Sequence, residues 1–481
     1  MPSLYGRLDP YTPAEYKKLQ DATLHLLEHT GVLVNCPEML EYAKNAGYLV
    51  DFDKKIVRFP ADKVEYNLKN CPGCLDRRPK PDTLTFSCDG GSGYVYDYDT
   101  RKTRPATVQD IADFSRLTDA LENVQEISFP CFDPSVPYEM QDLVIFRQVW
   151  ANTAKTGGGG LSRNDAIWMN TRPEAVDLFI RMAKVRYGGE TKPDGKPVAA
   201  VFVGAASPLR FERDMMEVAL LMLKKKQTVG IGSNVIGGIQ SPVTLASLVV
   251  MEHAERLASM SLMLAVDRNA SFYFCNHPNF LDMLSMNVSN GSAEHQLAAA
   301  CATGLLRYNG FQLYASHPVL TTAAHVPCQQ VAVEKSLGAI MAGLSGASGI
   351  CTCGALYESM SYEQLVIDNE MAGMVRHYLK GLDITDETIA LDVMEEMGIG
   401  ANFLESDFVA EHCREVYWQP KLFNRKRYSE WVVQNGKDTM ENAHDMVQKI
   451  LAEHHPKVLT DDQLREMDEI VDEGWKTLLK H

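Results

Sequence analysis

Aromatic side chains recur in a set of short apolar runs between residues 198 and 357 and in one tyrosine-rich segment before them. A ring of π faces attracts a cation without hydrogen-bond donors, such as a quaternary ammonium group. Any single ring could instead pack in a core, because alternating aromatic residues are common in strands. As a group, they predict a cation-binding cage. The rings belong to Tyr94, Tyr96, Tyr98, Phe202, Phe272, Tyr273, Phe274, Tyr314 and Tyr357. Those selected as cage residues are Tyr94, Tyr96, Phe202, Phe274, Tyr314 and Tyr357.

Polar side chains follow the same apolar runs, where each run stops. Asn234, His277 and His317 come at three of these ends, and Asp97 lies among the tyrosines of the segment GYVYDYD. A carboxylate among rings could complement a cationic ligand, or it could cap a turn. Side chains at the carboxyl ends of barrel strands are candidates for an active site.

Two glutamates lie inside apolar helical stretches, Glu294 in SAEHQLAAACATGLL and Glu334 in QQVAVEKSLGAIM. A buried carboxylate is paired with a cation, such as Arg307 or Lys335, or it faces a site that uses its charge. Both interpretations stay open for each glutamate.

A metal site is the alternative to the cation cage. Cys71 and Cys74 form half of a structural zinc pattern, but no second pair follows at suitable spacing. A zinc ion could still bind where strand ends meet in space. The ligands would then be His277, His317 and either Cys351 or Cys353. Our main interpretation has no metal held by this chain.

The elements that would position these groups follow a repeated unit of a short apolar run and then a helix, which is typical of α/β proteins. Such an alternation predicts a (β/α)8 TIM barrel with its site at the carboxyl ends of the strands. The eighth strand has no clear position. An open doubly wound sheet is the alternative, but no glycine-rich phosphate turn follows a first strand. The predicted strands lie at 125–131, 155–162, 197–207, 227–238, 270–278, 311–318 and 348–356.

Length and composition set further limits. We expect an N-terminal helical and β extension over residues 1–120, the barrel core over 121–381 and a C-terminal helical arm over 382–481 that packs on the barrel, with a homo-oligomer as the assembly. The net charge of −16 argues against nucleic acid as a partner. Eleven cysteines without a secretory signal predict a reducing cytoplasm. The most apolar helix, 244–266, carries Glu252, His253, Glu255 and Arg256 in its middle, so no membrane span is expected.

Five blocks, in order along the chain, resemble one known family. They are Leu24–Asp51, Tyr96–Leu121, Ser292–Gly310, Met360–Met371 and Phe403–Trp431. On these blocks the chain resembles the trimethylamine methyltransferase family of corrinoid-dependent methylamine and betaine methyltransferases. The founding branch uses pyrrolysine, whereas this chain contains only standard residues. The resemblance is therefore to the non-pyrrolysine branch.

This resemblance implies a β/α barrel that moves a methyl group from a quaternary amine to the Co(I) corrinoid (cobalamin) of a separate cognate protein. Glycine betaine, proline betaine, carnitine and γ-butyrobetaine are the substrates that it implies. The chain would supply orientation and desolvation but no nucleophile. Glu294, Glu334 and His317 are the candidates for positioning, and the aromatic and polar residues named above are the candidates for substrate binding.

One segment departs from the family pattern. Gln330 and Glu334 match it, but the preceding TTAAHVPC, with His325 and Cys328, does not. The sequence therefore leaves the identity of the amine open. Two alternatives also stay open, namely a zinc-dependent barrel methyltransferase for a thiol or alcohol and a catalytically silent betaine-binding or corrinoid-binding protein.

Overall fold

The computed structural model describes residues 4, 6–71, 84–155, 160–161, 173–275, 278–311, 313–314, 320–433 and 435–479. Three predicted site residues fall partly or wholly outside these ranges. His277 and His317 are not described, and Tyr314 is described only as backbone.

The strands of the described chain are short, between two and five residues each. They are β1 Val32–Val34, β2 Leu49–Asp51, β3 Ile56–Arg58, β4 Thr85–Cys88, β5 Tyr94–Asp97, β6 Lys102–Pro105, β7 Glu126–Ile127, β8 Gly160–Leu161, β9 Ala200–Gly204, β10 Arg210–Phe211, β11 Thr228–Gly232, β12 Ile236–Gly237, β13 Phe272–Phe274, β14 Asn279–Phe280, β15 Leu313–Tyr314 and β16 Ala347–Ile350.

Helices surround and separate these strands, and several begin at side-chain caps. Thr12 and Thr107, for example, form capping boxes that satisfy free N–H groups of the first turn. The helices are α1 Pro13–His29, α2 Pro37–Asn45, α3 Ala61–Lys69, α4 Val108–Ala120, α5 Gln141–Asn152, α6 Pro173–Tyr187, α7 Arg213–Lys224, α8 Leu245–Val266, α9 Ala293–Tyr308, α10 Gln329–Ser345, α11 Tyr362–Lys380, α12 Asp386–Ile389, α13 Leu391–Met397, α14 Asp407–Val416, α15 Tyr428–Val433, α16 Thr439–Glu453 and α17 Asp461–Thr477.

Two four-stranded parallel sheets form the centre of the fold. One has the order β15-β16-β4-β7 and the other β13-β11-β9-β8, and every neighbouring pair in both is parallel. Helices connect consecutive strands, as parallel pairing requires. The predicted α/β class is confirmed. Both sheets are small and open along the described ladders.

β4 lies between β16 and β7 in the first sheet. It precedes residue 120, so this sheet combines a strand from the predicted N-terminal extension with strands from the predicted barrel core. At the β7 edge of this sheet, the backbone N–H of Ile127 donates to the carbonyl of Lys155 at 2.9 Å. Lys155 precedes β8 of the second sheet. The backbone of β7 therefore contacts the segment of chain that precedes β8.

The C-terminal region has two parts. Helices α16 and α17 return to the body of the protein, where Arg147 and Arg181 form ion pairs with Asp468 and Glu473. Helices α12, α13 and α14 bury none of their residues. Within the described ranges, no helix has both the length and the apolar composition to cross a lipid bilayer.

Candidate functional site

The two faces of each parallel sheet differ in character. In the second sheet, Val229 and Ile231 of β11 belong to the apolar core against the helices, together with Phe272 and Phe274 of β13. Side chains alternate between faces along a strand. The residues between them, Gly230 and Tyr273 on neighbouring strands, therefore share the opposite, inner face.

Two glycines of β11 leave room for aromatic rings on this inner face. A Cβ atom at Gly230 would lie 2.5 Å from Cζ of Tyr273, and one at Gly232 would lie 2.5 Å from the ring of Phe202. Both distances are far below van der Waals contact. The glycines therefore allow Tyr273 and Phe202 to lie flat over the strand between them.

The inner face of the first sheet is polar. Phe86 and Cys88 of β4 and Ile127 of β7 pack in the helix-facing core. The alternate residues Ser87 and Glu126, which pair in register across the two strands, face the other way. The same alternation places Asp89 and Ser128, one residue past the strand ends, at the carboxyl edge of this inner face.

The negative charges of Asp89 and Glu126, from the first sheet, act on Tyr273 of the second sheet. The pKa of Tyr273 lies well above its usual value because of burial and then the negative charges of Cys275, Asp89 and Glu126. Burial raises the pKa of Asp89 to about 6, and the Ser128 hydroxyl opposes this shift. Both side chains keep some solvent access, as groups that line an internal space do.

This arrangement has a definite chemical preference. Two carboxylates and two rings lie in a space that is largely shielded from water, where charge interactions are stronger than in bulk solvent. A carboxylate with a pKa raised by desolvation gains most from a nearby positive charge. The inner space therefore favours a cationic ligand with apolar substituents.

A larger cavity of about 1400 Å³ adjoins the carboxyl edge of the first sheet. The loops that follow β4, β7 and β16 form it together with the β5–β6 hairpin. Gly90, directly after Asp89, is part of its wall. Its aromatic and basic wall residues are Tyr94, Tyr96, Phe132, Tyr138, Tyr357, Arg101, Lys102 and His325.

Three of the predicted cage residues meet in this cavity. Tyr94 is about half exposed, whereas Tyr96 is buried against Leu356. The Tyr357 hydroxyl donates to the carbonyl of Val288 at 3.3 Å, and its ring meets that of His325 edge to face at 5.1 Å.

Two other predicted residues lie elsewhere. Phe274 is on the helix-facing side of β13, where its ring contacts Phe272 and Phe311 at 5.5 and 5.1 Å. Asp97 accepts hydrogen bonds from the backbone and hydroxyl of Thr100, at 2.8 and 2.7 Å, and these bonds lower its pKa. Of the two functions considered for Asp97, the structure places it in the turn-capping position.

Two of the three remaining polar candidates, Asn234 and Glu334, hold loops. Asn234 is exposed and accepts a hydrogen bond from Asn279, which links β12 to β14. Glu334 accepts hydrogen bonds from Thr322 and from Gln330 at 2.5 and 2.8 Å. Glu294 is exposed in the first turn of α9.

The metal alternative rests on residues that the structure describes only in part. The described residues contain no cluster of three possible metal-binding side chains. Cys353 lies in the helix-facing core, where burial raises the pKa of its thiol.

Buried ion pairs and hydrogen bonds hold the carboxyl-edge loops. Lys335 Nζ lies 2.7 Å from Oδ2 of Asp368 and 3.2 Å from the carbonyl of Thr352 in the loop after β16. The same carboxylate accepts from the backbone of Gly354 at 2.7 Å. This cluster ties α10, α11 and the loop that leads to Tyr357.

Sequence reasoning missed Asp89 and Glu126 of the inner face, and it selected Phe274 as a cage residue rather than the adjacent Tyr273. Strand β4 alternates polar and apolar residues, so it has no continuous apolar run to reveal it. In the run FYF of β13, either Tyr273 or the two flanking phenylalanines can point to the inner face of the sheet. The sequence does not show which of them do. The segment CDGGSG after β4, an acid followed by glycines, was the available signal.

The whole chain matches a known protein family. A family model described as trimethylamine methyltransferase matches residues 3–476. The trimethylamine methyltransferase of Desulfitobacterium hafniense is 27% identical over 478 residues, which cover 96% of this chain and 93% of the relative. The glycine betaine methyltransferase of strain Y51 of that organism is 26% identical over 472 residues, with 95% of each chain covered.

A solved structure is similar in fold. The monomethylamine methyltransferase of Methanosarcina barkeri superposes with a TM-score of 0.51 at 13% sequence identity, and the match covers 92% of this chain and 89% of that one. At this identity the likeness concerns the fold alone.

Proposed function

Because the chain belongs to the trimethylamine methyltransferase family and is a methyltransferase, we propose that it removes a methyl group from a quaternary amine of the betaine type. The acceptor is the Co(I) corrinoid of a cognate protein. The single observation that carries the choice of a permanent cation is the inner face with Asp89, Glu126, Phe202 and Tyr273.

The inner face supports this substrate class through its charge and shape. A quaternary ammonium group cannot donate hydrogen bonds, so it is held by π faces and by charge. Phe202 and Tyr273 supply the faces, while Asp89 and Glu126 supply the charge. The positive charge on nitrogen disappears as the amine leaves. Excluding water from around the cation therefore favours the transfer.

The carboxylate of a betaine would lie toward the cavity, away from these acids. Arg101 and Lys102 are on the cavity wall beyond Gly90–Gly93. They are exposed, so they attract an anion without a large desolvation cost. A dipolar substrate is therefore oriented by acids at one end and bases at the other.

The corrinoid supplies the nucleophile, and the cavity provides room for its approach. The bond between the methyl carbon and nitrogen breaks with its electron pair going to nitrogen, and the cobalt contributes the pair for the new bond. The residues of this chain hold the cation in line and exclude water. Tyr94, Tyr96 and Tyr357 form the aromatic wall of the cavity through which the acceptor would approach.

We further infer that the two parallel sheets are arcs of one (β/α)8 barrel. The eight strands β4, β7, β8, β9, β11, β13, β15 and β16 follow in sequence order around the two sheets. The Ile127–Lys155 hydrogen bond spans one gap, and the ring contact of Phe274 with Phe311, just before β15, spans the other. In this arrangement β4 is the strand that sequence alone left unassigned.

The proposal is tested with a reduced Co(I) corrinoid on its carrier protein and a panel of betaines, together with trimethylamine. We expect methylation of the corrinoid, followed by absorbance, from a betaine and not from its tertiary amine product. Metal analysis of the same sample tests the zinc alternative. No methylation from any quaternary amine, with an active carrier present, would contradict the proposal.

The affinity for the substrate should depend on pH through Asp89. Its pKa of about 6 means that its charge develops as the pH rises from 5 to 7, whereas a quaternary ammonium group does not titrate. We expect Kd, measured by calorimetry without the carrier, to fall about tenfold over this range. In the Asp89→Asn protein this dependence should disappear, and a persistent tenfold change there would assign it to another group.

A methyl group at position 232 should disturb the cage. In Gly232→Ala the new Cβ would lie 2.5 Å from the ring of Phe202, so the ring must move. We expect KM to rise about tenfold with a smaller change in kcat, because an aromatic contact with a cation contributes about 1 kcal/mol or more. Gly189→Ala, where nothing lies within 4 Å, is the matched control. Equal KM values for both variants would argue against Phe202 in the cage.

A further inference from the structure

The segment from Leu382 to Tyr417, here called the acidic arm, is mostly exposed. It contains helices α12, α13 and α14, which bury no residue. Each hydrogen bond described for the acidic arm has both partners inside it, such as Thr388 Oγ1 with Asp383 O at 2.6 Å. The acidic arm therefore lacks the contacts that normally hold helices of this length in place.

The acidic arm exposes many large apolar side chains. Ile399 is fully exposed, and Leu404 is 82% exposed. Contiguous exposed apolar surface of this kind marks an interaction site in soluble proteins. The exposed apolar side chains are Leu382, Ile384, Ile389, Leu391, Met394, Ile399, Phe403, Leu404, Val416 and Tyr417.

The acidic arm also has a strongly biased charge. It carries ten aspartates and glutamates and a single arginine, Arg414. A surface that binds it must therefore offer positive charge. The chain rejoins the rest of the protein after Tyr417, and Arg425 and Arg427 follow there as exposed residues. We call residues 421–427, which contain these two arginines and two lysines, the basic base.

The position of the acidic arm narrows the choice of partner. It starts after α11, whose last turns lie at the amino ends of the strands, because Arg376 donates to the carbonyl of Leu84 just before β4, at 3.2 Å. The basic base is anchored at the same end, where Glu370 accepts from the backbone of Lys421 at 2.7 Å. The candidate site is at the opposite, carboxyl edge. A corrinoid carrier must approach that other edge.

We propose that the acidic arm docks on a second copy of this chain, against the basic base of that copy, in a two-fold exchange. A two-fold interface presents the same surfaces from both copies, so each acidic arm would meet one basic base. The acidic arm has 36 residues, and a standard interface uses about 20–30 per side. Burial of its apolar side chains stabilises the pair.

The oligomeric state of the full chain tests this proposal. We expect sedimentation to give a dimer at micromolar concentration and a monomer for Ile399→Asp/Leu404→Asp. Because both side chains are exposed on their own chain, the monomer should keep its native circular dichroism. Leu49→Asp, at an exposed apolar position in β2, is the control and should stay dimeric. A monomeric native chain, or a dimeric Ile399→Asp/Leu404→Asp protein, would overturn the proposal.

A charge exchange tests the assigned partner surface. Arg425→Glu/Arg427→Glu should dissociate the dimer, as should Glu395→Lys/Glu396→Lys in the acidic arm. Equal amounts of these two proteins should form a heterodimer, because one contact keeps both native surfaces and the other pairs the two charge-exchanged surfaces. Dimers that persist in Arg425→Glu/Arg427→Glu alone would exclude the basic base as the docking surface.

Discussion

The Asp89→Asn variant is expected to lose about 100-fold in kcat/KM for the quaternary amine. The change keeps the size of the side chain and an oxygen that can accept from Ser128, but it removes the charge beside Tyr273. A cation about 5 Å from this carboxylate gains about 3 kcal/mol at an effective dielectric constant of about 20. That energy corresponds to about two factors of ten in affinity.

Steady-state kinetics with the corrinoid carrier in excess measure this loss, and calorimetry separates binding from the chemical step. We expect most of the loss in Kd, because the carboxylate interacts with the cation of the substrate before transfer. Asp99→Asn, an exposed carboxylate in the β5–β6 turn, is the control and should keep its activity. If Asp89→Asn keeps at least half of the native kcat/KM, the cation does not bind at the inner face.

The Asp368→Ala variant is expected to lower the free energy of unfolding by about 3–5 kcal/mol. Lys335 and Asp368 are both essentially excluded from solvent. The substitution therefore leaves the Lys335 ammonium group buried, with the carbonyl of Thr352 as its remaining hydrogen-bond acceptor among the described residues. It also removes the acceptor for the backbone N–H of Gly354. Denaturant unfolding followed by circular dichroism measures the loss.

A double variant separates the ion pair from general packing. Lys335→Met/Asp368→Leu removes both charges and keeps most of the volume, so it should be less destabilised than Asp368→Ala. The stability that this double variant still loses comes from two missing hydrogen bonds to Asp368. They are those from the N–H of Gly354 and from the Gln364 amide, the latter 2.8 Å long in the native chain. A double variant that is less stable than Asp368→Ala would show that the pair itself is not the main stabilising contact.

The α/β class was predictable because strands buried on both faces carry long apolar runs, and Ala200–Gly204 and Thr228–Gly232 follow that rule. Strand β4 was not predicted as a barrel strand, because Thr85 and Ser87 on its inner face interrupt the apolar run. A polar inner face is the consequence of a functional interior, and it removes the signal that identifies a buried strand.

The candidate site was predictable only in part. Tyr94, Tyr96 and Tyr357 do meet in one cavity, because they follow strand ends at the same edge of the sheet. Phe274 and Tyr273 are adjacent in the sequence, but only one of two neighbouring side chains can face inward on a strand. The sequence contains no information on that choice, since both faces of a buried strand are apolar.

By itself the sequence determined the family, the α/β class and the aromatic character of the site, because each depends on residue types repeated along the whole chain. Only the tertiary structure decided that Asp89 and Glu126 share an inner space with Tyr273. It also decided that the acidic arm begins near the amino ends of the central strands, opposite the candidate site. These features depend on strand register and on charges brought together from 184 residues apart, between positions 89 and 273, and local spacing along the chain does not encode such distances.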